Sequence, residues 1–279
     1  MTGLDGIVFL LGRCGDVVIW DPISEDTRGL SLDHVPVEPT ELAVSEDRMA
    51  ILSDRGRTIT LYDRAGRRLT RHRYDGESFF TRIAVAQGRL LASSFFDDHL
   101  LYLYGADTTP PVPLVENPRY WPSRSPRYNS FTEVHGCDGL LCAFDLVDFV
   151  LYMIDPQSGQ ATAFPKNPHP WARPIQPPKN AWGDEGSTYT GILLAPTATV
   201  ADDRVYVLMI DRTLQQGSAR PGDGFLELAV ADVDGTEWTT VVRLTDPDRF
   251  GGSAHLTVVG DTAMLLKPEG PVYAISLPN

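Results

Sequence analysis

Short apolar runs recur along this chain, each closed by an aromatic or aliphatic residue and then a turn residue. Six such endings are Val17-Val18-Ile19-Trp20-Asp21, Thr60-Leu61-Tyr62-Asp63, Leu101-Tyr102-Leu103-Tyr104-Gly105, Tyr152-Met153-Ile154-Asp155, Leu228-Ala229-Val230-Ala231-Asp232 and Val272-Tyr273-Ala274-Ile275-Ser276. The step is 42 residues from Asp21 to Asp63 and again to Gly105, then 50 to Asp155, 77 to Asp232 and 44 to Ser276. Runs this short, bounded by Gly, Pro and Asp, read as strands. The stretch from Thr40 to Leu52 also fits an amphipathic helix capped by Thr40, but its register matches four other units and so reads as two strands.

About four strands per unit at this period predict an all-β fold, a β-propeller, because a single blade cannot bury both of its faces without neighbours. The second unit shows the plan, with strands at Glu41 to Val44, Met49 to Ser53, Thr58 to Tyr62 and Arg68 to Tyr74. In the first unit, Ile7 to Leu11, Val17 to Trp20 and Gly29 to Leu32 read as the second to fourth strands. Aligning Gly3-Leu4-Asp5-Gly6 with Gly136-Cys137-Asp138-Gly139 places the missing inner strand before residue 1. Too little chain follows Ser276 for a full outer strand. The expectation is therefore six blades, two of them three-stranded; five blades plus extra strands is the alternative. Residues 1–279 read as one domain.

Composition narrows the partners. A formal charge of −13 argues against nucleic acid, which needs a local excess of Lys and Arg. Only Lys166, Lys179 and Lys267 are lysines among the 24 basic residues, a skew that suits a G+C-rich, bacterial genome. The run Ile7 to Leu11 is too short for a signal-peptide core, and no stretch approaches the roughly 20 apolar residues that span a bilayer. A soluble cytoplasmic protein is expected. Cys14, Cys137 and Cys142 are an odd number without a metal-binding spacing, so buried free thiols are expected.

Loop lengths then sort by face. In a four-stranded meander the turns joining first to second and third to fourth strands lie on one face, and here they are tight. The other connections carry every long insertion: Glu116 to Ser130, Lys166 to Thr190 and Asp211 to Gly224. Loops longer than about 12 residues are commonly functional. Two of them open alike, with Asn117-Pro118-Arg119-Tyr120-Trp121 answering Asn167-Pro168-His169-Pro170-Trp171, and Arg173 follows the second. Trp121, Trp171 and Trp182 with Tyr120 and Tyr128 would supply flat, low-entropy contact area over the channel. A lid with no ligand beneath it would use the same residues.

Inner strands converge on the propeller axis. Lining them up by Val44, Val85, Gly136, Val200 and Val258 puts Glu41, Arg82, Glu133, Thr197 and His255 at one level. Two residues further on stand Ala43, Ala84, His135, Thr199 and Thr257. Carboxylates brought together and shielded by aromatic loops would leave a general acid or base available near neutral pH. His255 would carry the proton and Arg82 would hold an anionic group of the substrate. The competing arrangement is a plug of Glu41–Arg82 and Glu133–Arg82 ion pairs. Metal ligation has little support, since the acids of Asp97-Asp98-His99 and Asp145/Asp148 suit solvated turns. No G-x-S-x-G, Walker loop, Cys-x-x-Cys or H-E-x-x-H motif occurs.

The segment from Gly136 to Cys142, followed by Tyr152-Met153-Ile154-Asp155-Pro156-Gln157-Ser158-Gly159, resembles the kelch-type propeller of plant F-box-associated proteins. Gly6 to Pro22 is a fainter copy. The likeness concerns turn chemistry in about two blades and implies partner recognition by analogy alone. More loosely, a cup with a carboxylate at its inner strands and an aromatic lid looks like strictosidine synthase, which implies a single Glu as acid–base group and no cofactor. It also looks like the gluconolactonase-type propellers, which implies a divalent metal, although Arg82 and His255 stand where some of those ligands would be.

The sequence thus leads to an enzyme of small-molecule metabolism: a lyase, cyclase or hydrolase working by acid–base catalysis without a cofactor. Glu41, Glu133, His255 and Arg82 would carry the chemistry. Trp121, Trp171, Trp182, Tyr120, Tyr128, His135, His169, Arg173 and Thr197 would bind substrate. A non-catalytic propeller presenting the same face to a small ligand or a protein partner is the alternative.

Overall fold

The computed structural model describes residues 1–75, 78–94, 97–105, 110–116, 132–137, 139–145, 149–167, 192–212, 226–244, 255–266 and 272–277. Among these residues all regular structure is strand, in six antiparallel sheets that form a six-bladed β-propeller. Blade 1 is β1 (Thr2–Leu4), β2 (Ile7–Leu11), β3 (Val17–Trp20) and β4 (Thr27–Leu30). Blade 2 is β5 (Glu41–Val44), β6 (Arg48–Ser53), β7 (Thr58–Asp63) and β8 (Arg68–Arg73). Blade 3 is β9 (Phe80–Ala86), β10 (Arg89–Ser94), β11 (Leu101–Tyr104) and β12 (Val112–Pro113). Blade 4 is β13 (Thr132–Cys137), β14 (Leu140–Asp145), β15 (Val150–Ile154) and β16 (Ala161–Pro165). Blade 5 is β17 (Ile192–Ala201), β18 (Arg204–Arg212), β19 (Leu226–Asp232) and β20 (Thr239–Leu244). Blade 6 is the three strands β21 (His255–Val259), β22 (Thr262–Leu266) and β23 (Val272–Ser276).

The count of six stands, and Thr40 to Leu52 is strand and turn. One detail differs: blade 1 has its inner strand. Thr2 to Leu4 pair with Phe9 to Ile7 in order, so only blade 6 is three-stranded among the described residues. Strand β1 is three residues long and contains Gly3, too little apolar periodicity to stand out in sequence. Gly3 is there because β21 passes close: a Cβ on it would sit 2.8 Å from Thr257 Oγ1.

Both faces of a blade are covered by its neighbours. In β6, Met49 and Ile51 join a cluster shared with blade 1, while the alternate residues Ala50 and Leu52 join a cluster shared with blade 3. This is the period of two of a strand with both sides buried, which is why the second and third strands read as continuous apolar runs. Further clusters lie between blades 3 and 4, 4 and 5, 5 and 6, and 6 and 1, so the packing closes a ring. The inner strands touch in sequence from β1 through β21 and back to β1.

The turn residues of the recurring endings have a defined task. The Asp63 carboxylate accepts hydrogen bonds from the backbone N–H groups of Ala65 and Arg67, both at 2.9 Å, and Asp155 accepts from Gln157 at 2.7 Å and Ser158 at 3.0 Å. Asp21 accepts from Ile23 at 2.8 Å. These are Asx turns joining the third strand to the fourth. The donors hold all three carboxyls below their ordinary pKa. Between blades, the buried Lys166 ammonium donates to the carbonyls of Asp232, Val233 and Gly235, clamping the end of blade 4 to a turn of blade 5.

The expectation of three buried free thiols fails. Cys137 and Cys142 are joined as a disulfide, with Cα atoms 6.1 Å apart, and Cys14 is exposed and free. In the β13–β14 register His135 faces Cys142 and Cys137 faces Leu140, so the two cysteines are diagonal neighbours within bridging reach. Sequence spacing alone did not reveal that hairpin register. Among the described residues no helix is long and apolar enough to cross a membrane.

Two glycines with similar backbones separate strain from collision. Gly6 has φ of +78° and open space around its missing Cβ; Gly56 also has φ of +78°, but a Cβ there would lie 2.2 Å from the Phe80 carbonyl oxygen. Gly6→Ala is expected to cost about 1 kcal/mol. Gly56→Ala should cost about 3 kcal/mol, because backbone must move as well. Urea unfolding of both variants measures the difference.

Candidate functional site

Five inner strands bring their expected residues to one end of the channel. Glu41 opens β5, Arg82 lies in β9, Glu133 in β13, Thr197 in β17 and His255 at the start of β21. Glu41, Glu133, His135, Thr197 and His255 line a single cavity of about 470 Å³. That volume is within the range of small-molecule sites. From the polar ring the lining continues past Thr199 and Thr257 to the tight turns of the opposite face, at Asp5, Ser45, Glu46, Asp47 and Gln87. The expected opening was at the long-loop end. Those rim acids escaped the sequence reading, although their place in tight turns directly after the inner strands was a usable signal.

Arg82 organises the ring. Its Nε donates to both oxygens of Glu133, at 3.0 and 2.9 Å, and its Nη1 donates to the Thr81 carbonyl at 3.0 Å. Nη1 also lies 3.6 Å from Glu41 Oε2, an ion-pair distance too long for a hydrogen bond. The Glu133 carboxylate, with burial partly opposing it, drives the Arg82 pKa above its ordinary value. Arg82 is therefore engaged by protein acids and is not among the residues that line the cavity. The ion pairs of the competing plug reading are present, yet a cavity remains beside them.

Both histidines of the cavity are shifted by their surroundings. Burial, reinforced by the positive charges of the Met1 amino group and Arg82, pushes His255 down to about 3. His255 is thereby held in its neutral form near pH 7. His135 is also lowered by burial, with Glu133 partly opposing the shift, and one ring nitrogen hydrogen-bonds the Ala198 backbone. Its Nε2 is fully occluded and has no hydrogen-bond partner, so the Nδ1–H is the donor to the Ala198 carbonyl and Nε2 carries a lone pair. Glu41 Oε2 is likewise occluded and without a hydrogen bond. Two acceptors of one cavity are thus unsatisfied, a costly arrangement in a low-dielectric site.

The rest of the expected site is not described. Tyr120, Trp121, Tyr128, His169, Trp171, Arg173 and Trp182 all lie outside the described residues. Among the described residues no group of three or more His, Cys, Asp and Glu side chains is arranged to hold a metal ion.

Replacing Arg82 by Met strands two buried carboxylates and is expected to cost about 3 kcal/mol in urea unfolding at neutral pH, of which adding Glu133→Gln should restore part. His255 gives a pH signature. Folding favours its neutral ring, so its contribution is full above the unfolded value of about 6.5 and is lost progressively as pH falls toward 3. His255→Gln should therefore flatten the decline of stability between about pH 6.5 and 4.

No protein-family model matches this chain, and no curated protein matches it either. Solved structures do. The WD40 domain of Neurospora crassa Pan2 is similar with a TM-score of 0.52 and 9% identity, over 98% of this chain and 72% of that one. A streptogramin B lyase structure is similar with a TM-score of 0.50 and 13% identity, over 95% and 88%. A Bacteroides fragilis protein described as exported is similar with a TM-score of 0.55 and 8% identity, over 94% and 77%. At such identities the likeness is one of fold, and the fold it establishes is the propeller.

Proposed function

We propose that this protein is a cofactor-independent enzyme that binds a small molecule in its central channel and moves a proton on it. The observation that carries this reading is the pair of occluded acceptors, Glu41 Oε2 and His135 Nε2, left without hydrogen bonds in one cavity. A substrate presenting N–H, O–H or acidic C–H groups would satisfy both. His135 is the candidate base, because its Nδ1–H is anchored to the Ala198 carbonyl and its Nε2 lone pair is free. Glu133 and Glu41 would stabilise the imidazolium formed when that lone pair takes a proton, and both carboxylates raise its basicity. Arg82 and Glu133 form the frame that positions Glu41.

Proton abstraction of this kind serves a lyase, a cyclase or a hydrolase. One structural neighbour is by name a lyase, which supports only that such a propeller accommodates such chemistry. The Pan2 neighbour is a WD40 domain, and a protein-docking role is the reading that the test must exclude. The expected cytoplasmic setting is not carried into the proposal. The Cys137–Cys142 bridge speaks against it, since disulfides are rare where thiols are kept reduced.

The test is untargeted. The purified protein is incubated with a pooled metabolite library and substrate depletion is followed by mass spectrometry. A depleted compound is expected with the unaltered chain, with turnover reduced about 100-fold or more by Glu41→Gln or His135→Gln and little change in substrate binding. Turnover indifferent to both substitutions, or no depletion together with a partner that binds both variants equally, sinks the proposal.

A further inference from the structure

We infer that the channel takes an elongated aliphatic ligand carrying at least two protonated amines, admitted from the face of the tight turns. The inference rests on the channel reading above and supplies the class of molecule. Five side chains of the lining are carboxylates: Glu41 and Glu133 at the inner end, and Asp5, Glu46 and Asp47 at the rim. Neither Lys nor Arg lines it, and the two lining histidines are held toward their neutral forms. The Met1 amino group is the remaining basic group there, lowered by burial although Glu41 draws it upward. Outside the rim, Arg48 binds Asp47 at 2.8 Å, and Arg64, whose Nη1 donates to the Ser45 carbonyl at 3.1 Å, feels the charge of Asp5, so Asp5 is partly answered and Glu46 is the exposed rim acid left to an incoming molecule.

The unsatisfied atoms decide the sign independently of that count. Glu41 is only 9% exposed, and both Glu41 Oε2 and His135 Nε2 accept hydrogen bonds and donate none. An ammonium group brings donors to both. A carboxylate or phosphate would set acceptor against acceptor inside a negative field, which the site rejects strongly. Length follows from the strand. Glu41 precedes the Ser45 turn by four residues of extended chain, so the inner and rim acids are about 13 Å apart along the channel. A linear triamine spans a comparable distance when extended.

Isothermal titration calorimetry with spermidine, butylamine and glutarate tests this at low and high salt. Spermidine is expected to bind about tenfold or more tightly than butylamine, and glutarate not to bind. Glu41→Gln should weaken spermidine about tenfold, and Asp5→Asn with Glu46→Gln should weaken spermidine but spare butylamine. Asp202→Asn with Asp203→Asn, in a tight turn outside the lining, should change nothing. Each variant is checked for an unchanged urea midpoint. Glutarate binding as well as spermidine overturns the inference, as does spermidine binding that high salt abolishes and Glu41→Gln leaves intact, which marks a surface counter-ion. If a neutral or anionic compound binds and loses affinity in His135→Gln, the channel site stands and the cationic class falls. If neither Glu41→Gln nor His135→Gln alters the binding or turnover of any compound, both readings fall together.

Discussion

Burial of each blade between two others is the constraint on which the rest of this molecule depends. A sheet with apolar residues on both faces has no stable exposed form, and a ring supplies every sheet with two neighbours. The clusters on either side of β6 show the device at its simplest: odd and even positions of one strand serve different interfaces. Because the blade interior is used for packing, a charged group within it needs a partner, as Glu227 of β19 has in Arg243 at 2.7 Å, and the edges hold charge more readily. The inner edge is the one that faces the axis, and there five strands carry Glu41, Arg82, Glu133, Thr197 and His255 at one level.

Concentrating charge on an axis is expensive unless the charges answer one another. Arg82 meets that requirement with one guanidinium, whose Nε–H is shared between the two oxygens of Glu133 and whose Nη1 is within ion-pair distance of Glu41. The match is uneven. Glu133 receives two hydrogen bonds from Arg82, whereas Glu41 Oε2 receives none. A purely structural plug would satisfy both acids, since an unpaired buried acceptor weakens the fold without return. Local strain of this sort is common where a site is kept ready for a ligand. The asymmetry between the two glutamates, more than their presence, is what separates a site from a plug here.

Much of the fold was legible because its determinants are local. The recurring Asp at Asp21, Asp63 and Asp155 marks an Asx turn that needs no distant partner, and continuous apolar runs mark strands with two buried faces. The ring level of Glu41, Arg82 and Glu133 was legible for a related reason, since alignment of repeats substitutes for long-range information. What escaped depended on register and on pairwise geometry. The Cys137–Cys142 bridge follows from which residues oppose each other in β13 and β14, and β1 was hidden by its brevity and by Gly3. The state of His255 depends on burial and on two neighbouring cations, none of which a sequence level displays.

Closure of the ring bears on the site as well as on the fold. Blades 6 and 1 are each made from one end of the described chain and share no strand, so their junction rests on side chains: Met1, Val8 and Met264 are its buried members. The clusters at the other five junctions each have six or more buried residues. Among the described residues the 6–1 junction has the fewest buried members, and partial opening of a protein begins where buried apolar contacts are fewest. His255 and Thr257 stand on one side of that junction and Thr2 and Gly3 on the other, all lining the channel. Loosening the seam would widen the channel on the side away from Arg82, Glu41 and Glu133. Glu41, Arg82 and Glu133 are thus built on the firmly packed blades 2 to 4, and the seam side carries Asp5, the Met1 amino group, His255 and Thr257.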